Sequence, residues 1–265
     1  SPIILGVEST NNTGSLSIGG RFTVSRDIMT VAAPGTGVNL IRGMTNEPAV
    51  LTGGISLAAA NNILTLGSVS PNHGTGSGGR LEVMGAISGL GAVTLGTTAA
   101  VPSWGGTVAL LGNSNGYGMS TYSGTTTIHS SRVEIGGSSF YSGPANSPTI
   151  ISGPFGIGPM TWTSGENGNG ASFLAVGGPQ TIVNAFNATS SAANATWKFM
   201  GNEALTFTRD WNVNSDGTLR NRVFQVNNPY QPVTFSGNLS ASGAGGMSLI
   251  KTGSGTLVLS GTNTF

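Results

Sequence analysis

The amino-acid sequence predicts an all-β protein and favours a parallel β-helix over a set of β-sandwich domains. Three observations lead to this prediction: the chain nearly repeats itself once, short segments alternate apolar with small polar residues, and glycine is abundant where charge is scarce. Of 265 residues, 44 are glycine and only 7% are charged, whereas ordinary globular domains have about 7% glycine and roughly 25% charged residues. Self-similarity indicates a repeat architecture, in which function usually lies in shape and surface rather than in one catalytic pocket.

The internal repeat has a spacing of about 150 residues. Matching segments keep the same order along the chain while their spacing shrinks slowly, as expected for two copies that differ by small loop deletions. The matched pairs are residues 16–20 with 174–178, 44–47 with 200–203, 85–88 with 237–240, and 106–110 with 255–259. We therefore expect two degenerate copies of one unit, over residues 1–145 and, truncated and continuous with the first, over residues 146–265.

Short strands are predicted along the whole chain. Segments such as 15–18, 133–135 and 233–235 alternate apolar and polar residues, which is the period-two pattern of a strand with one buried face. Helical periodicity is nearly absent, and the alanine-rich segment 185–195 is predicted to be a loop because it is also rich in Asn, Ser and Thr. Asparagine at turns and glycine at strand ends favour the corners of a solenoid.

The segment 248–265 has a more specific pattern. Lys251, Gly253 and Gly255 form a Lys-x-Gly-x-Gly motif, an alternating strand follows, and the segment ends in Ser-Gly-Thr-Asn-Thr-Phe. This arrangement closely resembles the autotransporter-associated β-strand repeat, also called the passenger-associated transport repeat. The continuation that this family shows is present in the earlier copy, over residues 124–128 and 133–136, although that copy lacks the lysine and inserts residues 114–120.

The resemblance implies a right-handed parallel β-helix that is exported from a diderm bacterium and is extracellular or displayed on the cell surface. Such repeats occur in long proteins that serve as stalks, adhesins and fibres. We therefore expect a structural building block of a fibre, which assembles head to tail with copies of itself by coil stacking or strand exchange. A window on a longer array of the same repeat is the other explanation. The predicted assembly residues are Ser1, Pro2, Ile3 and Ile4 at one end and Leu257, Val258, Leu259 and Phe265 at the other.

The alternative function is a glycan- or host-binding segment of an adhesin. In that case aromatic side chains would form a platform on which sugars stack, and the candidate residues are Trp104, Trp162, Trp197 and Trp211. The competing interpretation of the same residues is that they fill irregular coils of the solenoid.

A polysaccharide-active β-helix enzyme is the third hypothesis, but we predict no enzyme, no catalytic residue, no metal site and no cofactor. The acidic residues are thinly spread, and Asp210 and Asp216 are the only close pair. Paired catalytic carboxylates must lie ~5–9.5 Å apart across a substrate. His73 and His129 stand alone, without the spacing of metal ligands.

The few charged residues are scattered, and the net charge is +1. Nucleic-acid binding needs a clustered basic face and is therefore not expected. Arg26-Asp27 and Arg209-Asp210 each follow a predicted strand and are interpreted as local ion pairs or turn-forming residues.

The apolar runs are too short for a membrane-spanning helix, which takes ~20 residues. The absence of cysteine excludes disulfides and thiolate metal sites.

Overall fold

The computed structural model describes residues 1–6, 14–31, 38–68, 79–96, 106–112, 118–129, 131–144, 147–162, 171–188, 194–214, 220–242 and 247–264. All regular elements in these ranges are β-strands, and almost all of them stack in parallel sheets that form a β-solenoid. The predicted all-β solenoid is therefore confirmed, whereas its right-handed winding stays a prediction.

The solenoid has three faces, which we number in the order in which the chain visits them. The second and third faces are each one nine-stranded parallel sheet. The strands of the second face are β2 (Ser15–Ile18), β5 (Val38–Gly43), β8 (Ile63–Ser68), β11 (Ala92–Leu95), β13 (Thr126–Ile128), β17 (Met160–Trp162), β20 (Phe186–Ala188), β23 (Trp211–Asn214) and β26 (Leu239–Ala241). Those of the third face are β3 (Thr23–Val24), β6 (Ala49–Leu51), β9 (Arg80–Val83), β12 (Thr107–Leu110), β14 (Arg132–Ile135), β18 (Ser172–Ala175), β21 (Asn194–Met200), β24 (Arg220–Val226) and β27 (Met247–Thr252).

The first face is divided into two four-stranded parallel sheets, one towards each end of the chain. The sheet at the beginning contains β1 (Ile3–Leu5), β4 (Ile28–Thr30), β7 (Ile55–Leu57) and β10 (Ile87–Gly89). The sheet at the end contains β19 (Gln180–Ile182), β22 (Leu205–Phe207), β25 (Val233–Phe235) and β28 (Leu257–Leu259). An antiparallel hairpin of β15 (Phe140–Ser142) and β16 (Thr149–Ser152) lies between them in the chain.

Inward side chains from all three faces form one continuous core. Neighbouring strands pair in register, so that like side chains stack on one another; Ile28, Ile55 and Ile87 are an example, and all three are buried. The core is mainly Leu, Ile and Val in the first half of the chain, and it becomes rich in Phe and Trp between Phe155 and Phe235. Burial of each large apolar side chain contributes ~1.5–3 kcal/mol, and this stacking therefore supplies most of the stability.

Backbone bonds insert the hairpin into the first face. The N–H of Thr121 donates to the carbonyl of Ile87 in β10 before the hairpin, and the N–H of Ser139 donates to the carbonyl of Thr181 in β19. Just before the hairpin in the chain, the buried Tyr122 hydroxyl lies 2.6 Å from Thr126 Oγ1. Burial raises the pKa of the Tyr122 phenol, so it stays protonated.

Asn184 holds the chain where it returns from the hairpin. Its side chain is fully buried, and Nδ2 lies 3.4, 3.2 and 2.8 Å from the carbonyl oxygens of Phe155, Gly156 and Gly158, which share its two hydrogens. The segment 155–158 has no strand partner of its own among the described residues, so this amide supplies hydrogen bonds that a sheet would otherwise make.

Replacing Asn184 with alanine is expected to lower the free energy of unfolding by ~1–3 kcal/mol, because three carbonyls lose a buried donor. The matched control is Asn187→Ala, at an exposed position of β20, where a change within ~0.5 kcal/mol is expected. Urea unfolding followed by circular dichroism measures both. Equal losses in the two variants would contradict this role of Asn184.

The matched repeat segments lie on different faces of the solenoid. Residues 16–20 begin in β2 on the second face, whereas 174–178 begin in β18 on the third. Residues 106–110 include β12 on the third face, whereas 255–259 include β28 on the first. Two copies of one unit would therefore be related by a turn about the solenoid axis, from one face to the next, as well as by a shift along the axis. Both nine-stranded sheets continue past the predicted boundary at residue 145.

Candidate functional site

Three of the four tryptophans proposed to bind glycans are buried. Trp162, Trp197 and Trp211 have no exposed surface, and Trp104 lies outside the described residues. A ring must be open on one face to stack on a sugar, so the prediction of a sugar platform is wrong for these three. Their inward orientation follows from strand alternation, since Trp197 and Phe199 both point into the core on β21.

The buried tryptophans belong to a column of aromatic rings along the axis. Trp211 is stacked on Phe186 with ring centroids 4.1 Å apart, and Trp162 lies 5.2 Å from Trp197. Phe207 and Phe235 are stacked at 5.0 Å. Two of these pairs are stacked and the third is tilted, and favourable aromatic pairs add ~0.5–1.5 kcal/mol each to the burial of apolar area. The aromatic residues therefore stabilise the rod.

The densest group of charged side chains lies on the outer surface of the third face. Arg80 Nη2 is 2.7 Å from Glu134 Oε2, and Arg80 Nε is 3.1 Å from Glu82 Oε1. Arg132 Nε is 3.6 Å from Glu134 Oε1. Ala109 of the intervening β12 pairs in register with both glutamates, and its small side chain leaves room for Arg80 to cross.

This charge cluster was missed in the sequence, where the acids are far apart. The signal is the repeated pattern Arg-x-Glu in β9 and in β14. The Arg80–Glu82 and Arg132–Glu134 pairs each lie within one strand. The Arg80–Glu134 pair joins β9 to β14 across β12, so it ties three neighbouring coils together.

Glu134→Gln is expected to lower the free energy of unfolding by ~1–3 kcal/mol, since the nearly buried carboxylate is shared by two arginines. The matched control is Glu47→Gln. Glu47 pairs with Arg21 at an exposed position, where a loss of only ~0–1 kcal/mol is expected. Thermal unfolding at low and high salt measures both variants. A larger loss in the control would overturn this assignment.

The carboxylates of Asp27 and Asp210 link neighbouring coils at the corners. Asp27 Oδ1 accepts the N–H of Gly54 at 2.8 Å, and Asp210 Oδ1 accepts the N–H of Asn238 at 2.8 Å. Asp27 and Asp210 are thus turn-forming residues, as their position after a strand predicts. Asp27 also lines a shallow depression of about 340 Å³ on the first face, together with Met29 and Ser56.

Metal-ligating groups do not converge in the part of the chain that the structure describes, where no three His, Asp or Glu side chains come close enough to hold an ion. His129 is partly buried, and burial lowers the pKa of its imidazole. His73 and Asp216 lie outside the described residues, so the pairing of Asp210 with Asp216 has no structural outcome.

Both ends of the solenoid present partly uncovered core residues. Each face contributes to both ends: the first strands expose Ile3, Leu16 and Val24, and the last strands expose Ala241, Leu249, Leu257 and Leu259. Ser1 and Pro2 are exposed, Ile4 and Val258 point outward and are 57% and 37% exposed, and Phe265 lies outside the described residues. The predicted assembly residues therefore include the inward positions Ile3, Leu257 and Leu259 of these two ends.

Comparison of the chain with family models, with curated proteins and with solved structures gives no match. Within the described ranges, no helix has the length and hydrophobicity needed to span a bilayer. The candidate functional surfaces are thus defined by the geometry alone.

Proposed function

We propose that this chain is a structural segment of a bacterial extracellular or cell-surface fibre that grows by end-to-end stacking of solenoids. The observation that supports the proposal is the uniform stacking of coils, in which neighbouring strands of each nine-stranded sheet pair in parallel along the axis. In the outermost described coils, each face has at least one partly covered inward apolar residue of the kind that internal coils bury. On the last strand of the third face, Lys251 also lies in the inward row, in register with Phe224. A further coil would bury these apolar residues and pair the free strand edges.

Stacking of this kind joins two different surfaces, the beginning of one copy and the end of the next. Such head-to-tail contacts do not close on themselves unless a rotation completes a ring, and they therefore generate filaments. Nine stacked strands at ~4.8 Å predict that this segment contributes about 40 Å to the length of the fibre.

The extracellular location is supported by the resemblance of residues 248–265 to the autotransporter-associated repeat. The structural role is supported by the carboxylates of Glu134, Asp27 and Asp210, each of which contacts a group on another coil. Glycan binding is not part of this proposal, because the described tryptophans are buried.

The decisive experiment is assembly of the purified 265-residue chain, followed by sedimentation velocity and by electron microscopy. Filaments with a regular axial repeat are expected as the concentration rises. A double variant, Leu257→Lys with Leu259→Lys, places charges on the inward row and should abolish assembly. The control Thr234→Lys changes the outward residue of β25 that pairs in register with Val258, and this variant should assemble. Uniform monomers of the unmodified chain at high concentration would overturn the proposal.

A further inference from the structure

The outer surface of the second face carries a row of short polar side chains. Strand alternation turns one residue of each strand away from the core, and parallel pairing stacks these residues in register from β8 to β26. We call this row the polar ladder; its members are Thr65, Thr94, Thr127, Thr161, Asn187, Asn212 and Ser240. Because neighbouring strands are ~4.8 Å apart, the hydroxyl and amide groups follow one another at that interval.

The polar ladder is accessible over most of its length and is uncharged. Thr94, Thr127 and Thr161 are half-buried and Asn187 is exposed, whereas Thr65 is mostly covered. The seven strands that carry the ladder contain no charged residue. The large apolar side chains that are exposed elsewhere on the molecule do not lie on these strands. The ladder is therefore a neutral polar surface.

The other two faces differ from this surface in the part of the solenoid that the structure describes. The third face carries the charge cluster of Arg80 and Glu134 on its outer side. The first face is interrupted by the hairpin, and its threonines stack in only three coils, at Thr181, Thr206 and Thr234. The second face thus combines an unbroken sheet with a long uncharged row.

Hydrogen bonds hold part of the polar ladder in a fixed conformation. Thr161 Oγ1 donates to the carbonyl of Asn187 at 2.9 Å. Asn212 Nδ2 donates to Ser242 Oγ at 2.7 Å, and Asn212 Oδ1 accepts the N–H of Ser242 at 3.4 Å. The branched Cβ of each threonine also restricts its χ1 angle. A ligand would therefore meet side chains that lose little conformational freedom on binding.

The chemistry of the polar ladder does not suit the common classes of macromolecular ligand. Nucleic acids need basic residues, and protein partners are usually held by exposed Trp, Tyr or Arg. Membrane surfaces need large exposed apolar residues. The aromatic rings on these strands, such as Trp162 and Trp211, are buried and cannot stack on sugars. What the ladder offers is a rigid row of hydroxyl, methyl and amide groups at one interval, which fits a ligand that is itself a rigid lattice of hydrogen-bonding oxygen atoms.

We propose that the polar ladder of the second face binds ice. The oxygen atoms of ice form a lattice whose repeat on several crystal planes is close to the interval between coils. The hydroxyl and amide groups of the ladder hold water by hydrogen bonds, and the threonine methyl groups order the water beside them. Each contact is weak, but contacts in register on one rigid rod act together. A single rod presents the whole ladder, so this inference does not depend on end-to-end stacking.

Growth of ice in a solution of the purified 265-residue chain tests the proposal. A slowly advancing ice front excludes ordinary proteins and takes up proteins that bind ice, so the protein concentrations of the ice and liquid fractions are compared. The unmodified chain is expected to enter the ice. The gap between the melting and freezing temperatures of a single ice crystal is expected to widen as the protein concentration rises.

The test variant is Thr127→Lys, which places a long charged side chain in the middle of the accessible threonines. Its uptake into ice should fall to that of an inert globular protein, and the temperature gap should close. The matched control is Thr206→Lys, the same change at a half-buried outward threonine of the first face; it should bind ice like the unmodified chain. Thr94→Lys repeats the test one coil away from Thr127, and melting curves establish that each variant is folded.

The outcomes separate this inference from the proposed function. Loss of ice binding in the two ladder variants alone supports the inference. Exclusion of the unmodified chain from ice would overturn it, and so would ice binding by the folded ladder variants or an equal loss in the control. Each of these results leaves the fibre proposal standing, because that proposal is tested by assembly.

Discussion

Replacing Trp211 with alanine is expected to lower the free energy of unfolding by ~3–5 kcal/mol. The indole is fully buried, and its ring centroid lies 4.1 Å from that of Phe186, 4.6 Å from Phe207 and 4.8 Å from Phe235. The substitution removes these contacts and leaves a cavity that the surrounding rings can fill only in part, because each ring is also held by its own strand. Near-ultraviolet circular dichroism should lose signal from the aromatic column.

The control for this prediction is Tyr230→Ala. Tyr230 is 73% exposed at a turn, so its loss should change stability by no more than ~0.5 kcal/mol. Coils of a solenoid interact only with their neighbours, and the effect of Trp211→Ala should therefore appear first as unfolding of the second half of the chain. Hydrogen exchange resolved along the sequence would detect it. A Trp211→Ala protein as stable as the control would show that the column is not a stabilising core.

Gly53→Ala and Gly54→Ala are expected to have opposite effects, although the residues are adjacent. A Cβ atom on Gly53 would lie 2.3 Å from the carbonyl oxygen of Arg26 in the previous coil. This distance is far shorter than a van der Waals contact, so the backbones of the two coils would have to move apart. The expected loss is about 3 kcal/mol, at the upper end of overpacking effects. Gly237 meets the carbonyl of Arg209 in the same way, at 2.3 Å, so the close approach recurs at another corner.

A Cβ atom on Gly54 would instead make its nearest contact 3.6 Å away, with Asp27 Oδ1. Alanine fits there and reduces the entropy of the unfolded chain, so a gain of ~0.4–1 kcal/mol is expected. Denaturant midpoints of the two variants, measured under one condition, provide the comparison. A loss of similar size in both would indicate that the corner tolerates no side chain at all, which would contradict the geometry.

The solenoid could be predicted from local patterns because each strand shows its buried face by alternation. The same signal was available for the tryptophans: Lys198 separates Trp197 from Phe199, and Asn212 separates Trp211 from Val213. Reading these segments as strands would have placed both tryptophans inside. Segment 185–195, predicted to be a loop, contains β20, whose Phe186 and Ala188 point inward.

The Arg-x-Glu pattern marks the members of the charge cluster in the sequence, but the contact between the two strands could not be predicted, because it depends on the register between coils. The lengths of the corners between β9, β12 and β14 bring Arg80 and Glu134 together. The alternation of residues within a strand does not show whether a corner is longer by one residue. The division of the first face could not be predicted either, because the residues of the hairpin resemble those of the strands that they replace.

The divided first face has a mechanical consequence. In the described residues, two faces carry an unbroken ladder of hydrogen bonds along the axis, while the third ladder is interrupted between β10 and β19. A pulling or bending force would concentrate its strain at that level. We therefore expect the rod to bend most easily at the level of the hairpin.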